Sequence, residues 1–132
     1  MTKGKYLLVL ILFGLSGCLG IKPAINKHRE VAHTIELGDS KKNVLSTLLP
    51  TQESLCDTCR KSPEKFMRDG KKVEIYFMRT GWTQDGKTSD DEFTPYVFTD
   101  GFLTGIGWEN LGGPKTEGQV PNQVIINNNT PP

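Results

Sequence analysis

Three cysteines carry most of the chemistry open to this 132-residue chain. Cys56 and Cys59 enclose Asp57 and Thr58 in a CxxC spacing. Thiols so placed can close a short disulfide, supply half of a tetrahedral zinc site, or cycle as a redox pair where a helix N-terminus stabilises the first thiolate. Zinc needs two more ligands, and His28 and His33 do not supply them at a recognised spacing. Five residues apart, they do not share a helix face either and read as surface residues. Redox chemistry needs a preceding strand and a βαβ pattern, whereas the pair follows Pro50 in a polar stretch. A structural disulfide therefore leads, ahead of free thiols, metal binding and redox chemistry. Asp90-Asp91-Glu92, with Asp85 nearby, lacks the alternating oxygen ligands and glycine turn of a calcium loop and reads as a solvated loop. No serine, histidine and acid are spaced as a nucleophilic triad, and no glycine loop is built to cradle phosphate. No catalytic residue, metal, cofactor or small-molecule substrate is expected.

Cys18 stands in a different setting. Lys3 and Lys5 precede an apolar run over residues 6–15, and Leu15-Ser16-Gly17-Cys18 closes it. A basic head, an apolar stretch of about ten residues and small residues before a cleavage point make a secretory signal peptide. The tetrapeptide resembles the lipobox of bacterial lipoproteins, in which the cysteine thiol is alkylated by a diacylglyceryl group and becomes the first mature residue. The alternatives are a plain secretory signal and an uncleaved anchor, although the run falls short of the roughly 20 apolar residues of a spanning helix. Each buried methylene contributes about 0.8 kcal/mol, so the two or three palmitate-like chains implied at Cys18 would hold firmly. Leu19, where an aspartate commonly marks retention at the inner membrane, leans the expectation towards the outer membrane, facing the periplasm. Removing Lys3 and Lys5 takes the formal charge from +1 to −1, so no field favours nucleic acid.

The elements that must position the CxxC pair follow from periodicity. Residues 18–24 read as the lipidated end and a tether interrupted by Lys22 and Pro23, and residues 25–37 as a short helix with a thin apolar stripe. Gly38 suits a left-handed cap, and Asp39 or Ser40 caps a second helix over 41–48, which buries Val44, Leu45 and Leu48 and stops at Pro50. Pro63 and Glu64 can open a single helical turn that buries Phe66 or Met67. Residues 73–79 alternate as a strand, with Val73, Ile75 and Phe77 on one side. Residues 94–99 and 102–108 form a hairpin across Asp100-Gly101, with Val97 opposite Thr104 and Tyr96 opposite Gly105. The expected fold is α+β: two N-terminal helices on one face of a three-stranded antiparallel sheet. Phe98 and Leu103 should meet the helices, with Gly105 and Gly107 leaving room for close approach. Phe102, Ile106 and Trp108 should share the other face, either as a partner-binding surface or closed over by Phe66 and the loops. Residues 112–132, rich in Pro, Asn, Gln and Gly, read as a disordered tail.

Leu37-Gly38-Asp39-Ser40-Lys41-Lys42-Asn43-Val44-Leu45 and Val97-Phe98-Thr99-Asp100-Gly101-Phe102-Leu103, after a lipobox and a tether, resemble the BamE/SmpA/OmlA-type outer-membrane lipoproteins. Asp91-Glu92-Phe93-Thr94-Pro95-Tyr96-Val97-Phe98 is also similar to a related group of uncharacterised bacterial lipoproteins. The resemblance implies a helix-plus-sheet domain over residues 25–111, behind a signal peptide over 1–17. It also implies a non-catalytic binding or scaffold role: attachment to the membrane through the N-terminal lipid, and an envelope protein as partner in outer-membrane assembly or integrity. An inhibitor-like protein-binding module is the alternative from a different class, with a CxxC redox or metal protein behind it.

Overall fold

The computed structural model describes residues 20–118. Residues 1–19, on which the expected signal peptide, the Leu15-Ser16-Gly17-Cys18 lipobox and Leu19 fall, and residues 119–132 lie outside the described residues.

The first helix, α1, spans Ile21–Val31 and buries Ile21, Ala24 and His28. That spacing keeps one stripe inward. It starts four residues earlier than the sequence reading and takes in most of the expected tether. Pro23 does not interrupt it, because the amides of a first helical turn have no intrahelical acceptor to lose. A 3-10 turn over Ala32–Thr34 follows, and Leu37 is exposed. The second helix, α2, covers Lys41–Leu48, with the Ser40 side chain accepting from the Asn43 N–H. A 3-10 turn over Leu49–Gln52, with Pro50 as its second residue, then follows.

The sheet has four antiparallel strands in sequence order: β1 (Glu64–Arg68), β2 (Lys71–Arg79), β3 (Phe93–Thr99) and β4 (Phe102–Ile106). β1 corrects the expected helical turn and the expected count of three strands. It is joined to β2 by Asp69-Gly70, with φ of 52° and 74°, as β3 is joined to β4 by Asp100-Gly101, with φ of 49° and 85°. Both two-residue turns need two left-handed residues, which Asp-Gly supplies at low strain.

The register at the second turn is as expected for Thr99 with Phe102 and Phe98 with Leu103, and then shifts. Val97 pairs with Gly105 rather than Thr104, and Tyr96 with Ile106 rather than Gly105. One extra residue on β4 makes a bulge and reverses the faces beyond it.

The helices cover one face, where Val44 and Leu48 meet Met78, Tyr96, Phe98 and Leu103. Val73, Ile75, Phe77, Phe93 and Val97 form the other face, closed by Phe66, Trp108 and Leu111. Gly105 serves this second side rather than the helices: a Cβ there would lie 2.8 Å from the Asn110 side-chain nitrogen. The link between the helices shields the outer edge of β4. The Gly38 and Lys41 N–H groups donate to Leu103 and Gly101 carbonyls at 2.8 Å, and Leu103 N–H donates to Asp39 O at 2.9 Å.

Candidate functional site

β2 outruns β1, and the site lies where its partner stops. Glu64, the first residue of β1, pairs with Ile75, leaving residues 76–79 of β2 unmatched on that side. Gln52 takes the place of a strand at the far end. Its Oε1 accepts from Arg79 N–H at 2.6 Å, and its Nε2 donates to Arg79 O at 3.5 Å. Alternation along the ladder then directs the N–H and C=O of Phe77 into the gap between Glu64 and Gln52. Pro95, opposite Phe77, turns its own carbonyl to β4, where it accepts from Gly107 N–H at 2.8 Å. A cleft of about 400 Å³ opens there. Leu49, Leu55, Tyr76 and Phe93 give it apolar walls, with Asp57, Arg60 and Lys61 also lining it. The Arg60 guanidinium donates to Leu55 O at 3.0 Å and to Glu53 O at 3.2 Å, which fixes its plane. Lys61 lies 3.1 Å from Asp90 and 4.7 Å from the centre of the Phe77 ring.

The CxxC pair forms the loop beside this cleft. The sulfurs of Cys56 and Cys59 lie at disulfide distance, 1.99 Å, around a 3-10 turn over Asp57–Cys59. Cys59 packs with Ile21, Ala24 and Leu55, while Cys56 is exposed. The pair therefore sits against the start of α1 and spans a single 3-10 turn rather than opening an α-helix.

Behind the cleft lies a buried knot that sequence reasoning missed. Arg79 and Glu92 are each 1% exposed and form an ion pair. Arg79 Nη1 donates to Cys59 O at 3.1 Å and its Nε to Gly81 O at 3.3 Å. Glu92 Oε1 accepts from Ser89 N–H at 3.0 Å and from Ser89 Oγ at 3.1 Å. A buried charge is tolerable when paired and hydrogen-bonded, and this pair ties the cysteine loop, β2 and the loop over residues 80–92 into one unit. Ser89 and Glu92 stand at capping-box spacing, a signal visible in sequence.

The other titratable clusters are equally committed. Glu74, 2% exposed, lies 2.7 Å from Lys41, 3.3 Å from Lys72 and 3.7 Å from Lys65. The hydrogen bond from Lys41 holds its carboxyl below the usual carboxylate range. His28 is buried rather than on the surface and shares a 2.8 Å hydrogen bond with Tyr96 OH. Burial lowers the His28 pKa and pushes the Tyr96 phenol up to about 12. His33 is exposed, as expected.

The acidic loop is strapped by chain expected to be disordered. Asp90 accepts from Lys115 N–H at 3.1 Å, and Asp91 accepts from Gly118 N–H at 2.9 Å. Burial alone would push the Asp90 carboxyl upward, but hydrogen bonds from Lys61 and from Lys115 N–H hold it below its ordinary value. Residues 112–118 are thus placed against the domain. Among the described residues no three histidine, cysteine or acidic side chains are grouped to hold a metal, and no helix is long and apolar enough to cross a membrane.

Phe102, Ile106 and Trp108 are not brought together. Phe102 is 56% exposed on the side of Thr99, whereas the bulge puts Ile106, 38% exposed, on the side of Tyr96. Trp108 is half-buried: its ring stacks on Phe77 with centroids 5.7 Å apart, and its Nε1 donates to Phe93 O at 2.8 Å. Comparison with protein-family models, curated proteins and solved structures returns no match.

Proposed function

We propose that this chain is a lipoprotein of the bacterial envelope, anchored at Cys18 in the outer membrane and facing the periplasm, whose domain binds an envelope protein without catalysing a reaction. The BamE/SmpA/OmlA-type resemblance of residues 37–45 and 97–103 agrees with this, as does a two-helix, one-sheet architecture. The observation that carries the binding role is the cleft at the open half of β2. Its walls are apolar, its rim holds Arg60 and Lys61, and the Phe77 peptide groups point into it. The buried ionisable groups, Arg79 with Glu92, His28 with Tyr96 and Glu74 with its lysines, are held in networks outside the cleft walls. The occupant that fits is an extended segment of a partner protein, hydrogen-bonded to Phe77, with an apolar side chain in the cleft and an acidic one towards Arg60. This surface replaces the Phe102, Ile106 and Trp108 face.

A photo-crosslinking residue introduced at Ser62, on the cleft rim, tests the reading in intact cells. A discrete adduct from Ser62, absent from the same substitution at exposed Lys42 and lost with Cys18→Ser, is the expected result. Equal adducts from both positions, or none from Ser62, would contradict it.

A further inference from the structure

The join between the anchor and the domain has no slack. Gly20 is the first described residue, and its carbonyl accepts from Ser54 Oγ at 2.7 Å. A Cβ on Gly20 would stand 2.0 Å from Ser54 O, so the chain lies directly against the backbone of that loop. Ile21, the next residue, is already buried, packed with Ala24, Leu55 and Cys59. Gly20 is therefore already held against the domain. Cys18 is two residues earlier, and two residues span at most about 7 Å however extended they are. The polar layer on each side of a bilayer's hydrocarbon is itself about 5–8 Å thick. A lipid held in the hydrocarbon by Cys18 would bring Gly20 to the level of that layer or to its outer edge.

The side chains around Gly20 suit such a place. Trp82 packs against the Ile21 cluster and remains part-exposed. The Lys22 ammonium lies 5.6 Å from the centre of its ring. A part-exposed indole beside a lysine whose flexible stem can carry its ammonium to phosphate is the pairing found at the headgroup level of membranes.

Resting on the Cys18 anchor proposed above, we infer that the end of the domain formed by Gly20, Lys22, Ser54 and Trp82 is seated on the lipid surface, with the Trp82 indole at headgroup depth. The seat fixes the orientation of the domain. The Asp69-Gly70 and Asp100-Gly101 turns share the opposite end of the sheet from the loop that carries Trp82. They point away from the bilayer.

The chain has two tryptophans, Trp82 and Trp108, which allows a direct test. Full-length protein purified from membranes in detergent is reconstituted into phosphatidylethanolamine–phosphatidylglycerol vesicles whose acyl chains are brominated near the headgroup. Flotation reads the anchor and quenching reads the seat. In the Trp108→Phe protein, Trp82 emission should fall about twofold or more relative to unbrominated vesicles. A reporter moved to the far end, by Trp82→Phe and Met67→Trp in the same background, should be unquenched. The single Trp82→Phe change in the otherwise natural chain should remove most of the quenching, which keeps the test independent of Trp108→Phe. Protein that floats with Trp82 unquenched, or with both reporters quenched alike, overturns the seat and leaves the anchor. Protein that does not float overturns both.

Discussion

Arg79 and Glu92 bear the largest consequence of any single pair. Each is almost wholly removed from water, and each is also bonded to backbone or to Ser89. Removing one member strands the other charge in a medium that cannot solvate it. Glu92→Ala should therefore cost about 3–5 kcal/mol, read by urea unfolding. Replacing both by apolar residues, as Arg79→Met with Glu92→Leu, should cost less than the single change. Three further groups contribute to the pH dependence: His28, Glu74 and Asp90. The folded His28 pKa lies below its ordinary 6.5, so just below that pH the unfolded chain binds a proton that the folded chain does not. Its contribution is present above 6.5 and lost as pH falls. The folded Glu74 pKa lies below its ordinary 4.5, so its contribution is present above 4.5 and lost as pH falls towards the folded value. Asp90, held below its ordinary 3.8, loses its contribution in the same acidic range. Urea midpoints measured against pH should decline in these two stages, with His28→Gln flattening the first and Glu74→Gln reducing the second.

At the scale of elements, the cysteine loop and the strands behave differently. The loop joins α2 to β1 and is held by the Cys56–Cys59 link and by Arg79 donating to Cys59 O. Closing so short a loop restricts the unfolded chain only modestly. Cys56→Ser with Cys59→Ser should cost about 2 kcal/mol, measured by thermal unfolding, and should leave the circular dichroism spectrum folded at room temperature.

Helix α2, strand β2 and the Asp100-Gly101 hairpin were legible in the sequence because each carries a local signal: a cap and Pro50, an alternation, a turn dipeptide. β1 was not. Glu64, Lys65 and Arg68 are exposed and only Phe66 faces the core, so no alternation marks the strand. Its one signal was Asp69-Gly70, the same dipeptide that marks the second hairpin. The bulge at Thr104 left no trace in residue types, yet it separated Phe102 from Ile106. The cleft was illegible for a related reason: its walls come from four separate segments, and only the folded chain brings Leu49, Arg60, Tyr76 and Phe93 together.

On the scale of the whole molecule, the sheet divides the labour. One face is filled by the helices and the other by Phe66, Trp108 and Leu111, which leaves the half-open edge of β2 as the proposed binding concavity. The start of α1, next to the cysteine loop, is where the proposed anchor joins. The proposed binding role in the envelope rests on that anchor more than on any residue of the domain. Intact-mass and peptide mass spectrometry of the protein from the membrane fraction tests it most directly. The predicted result is a mature chain that begins at Cys18 and carries a diacylglyceryl group with or without a further acyl chain. A chain that retains Lys3 and Lys5, or that begins at an unmodified Cys18, would contradict the account.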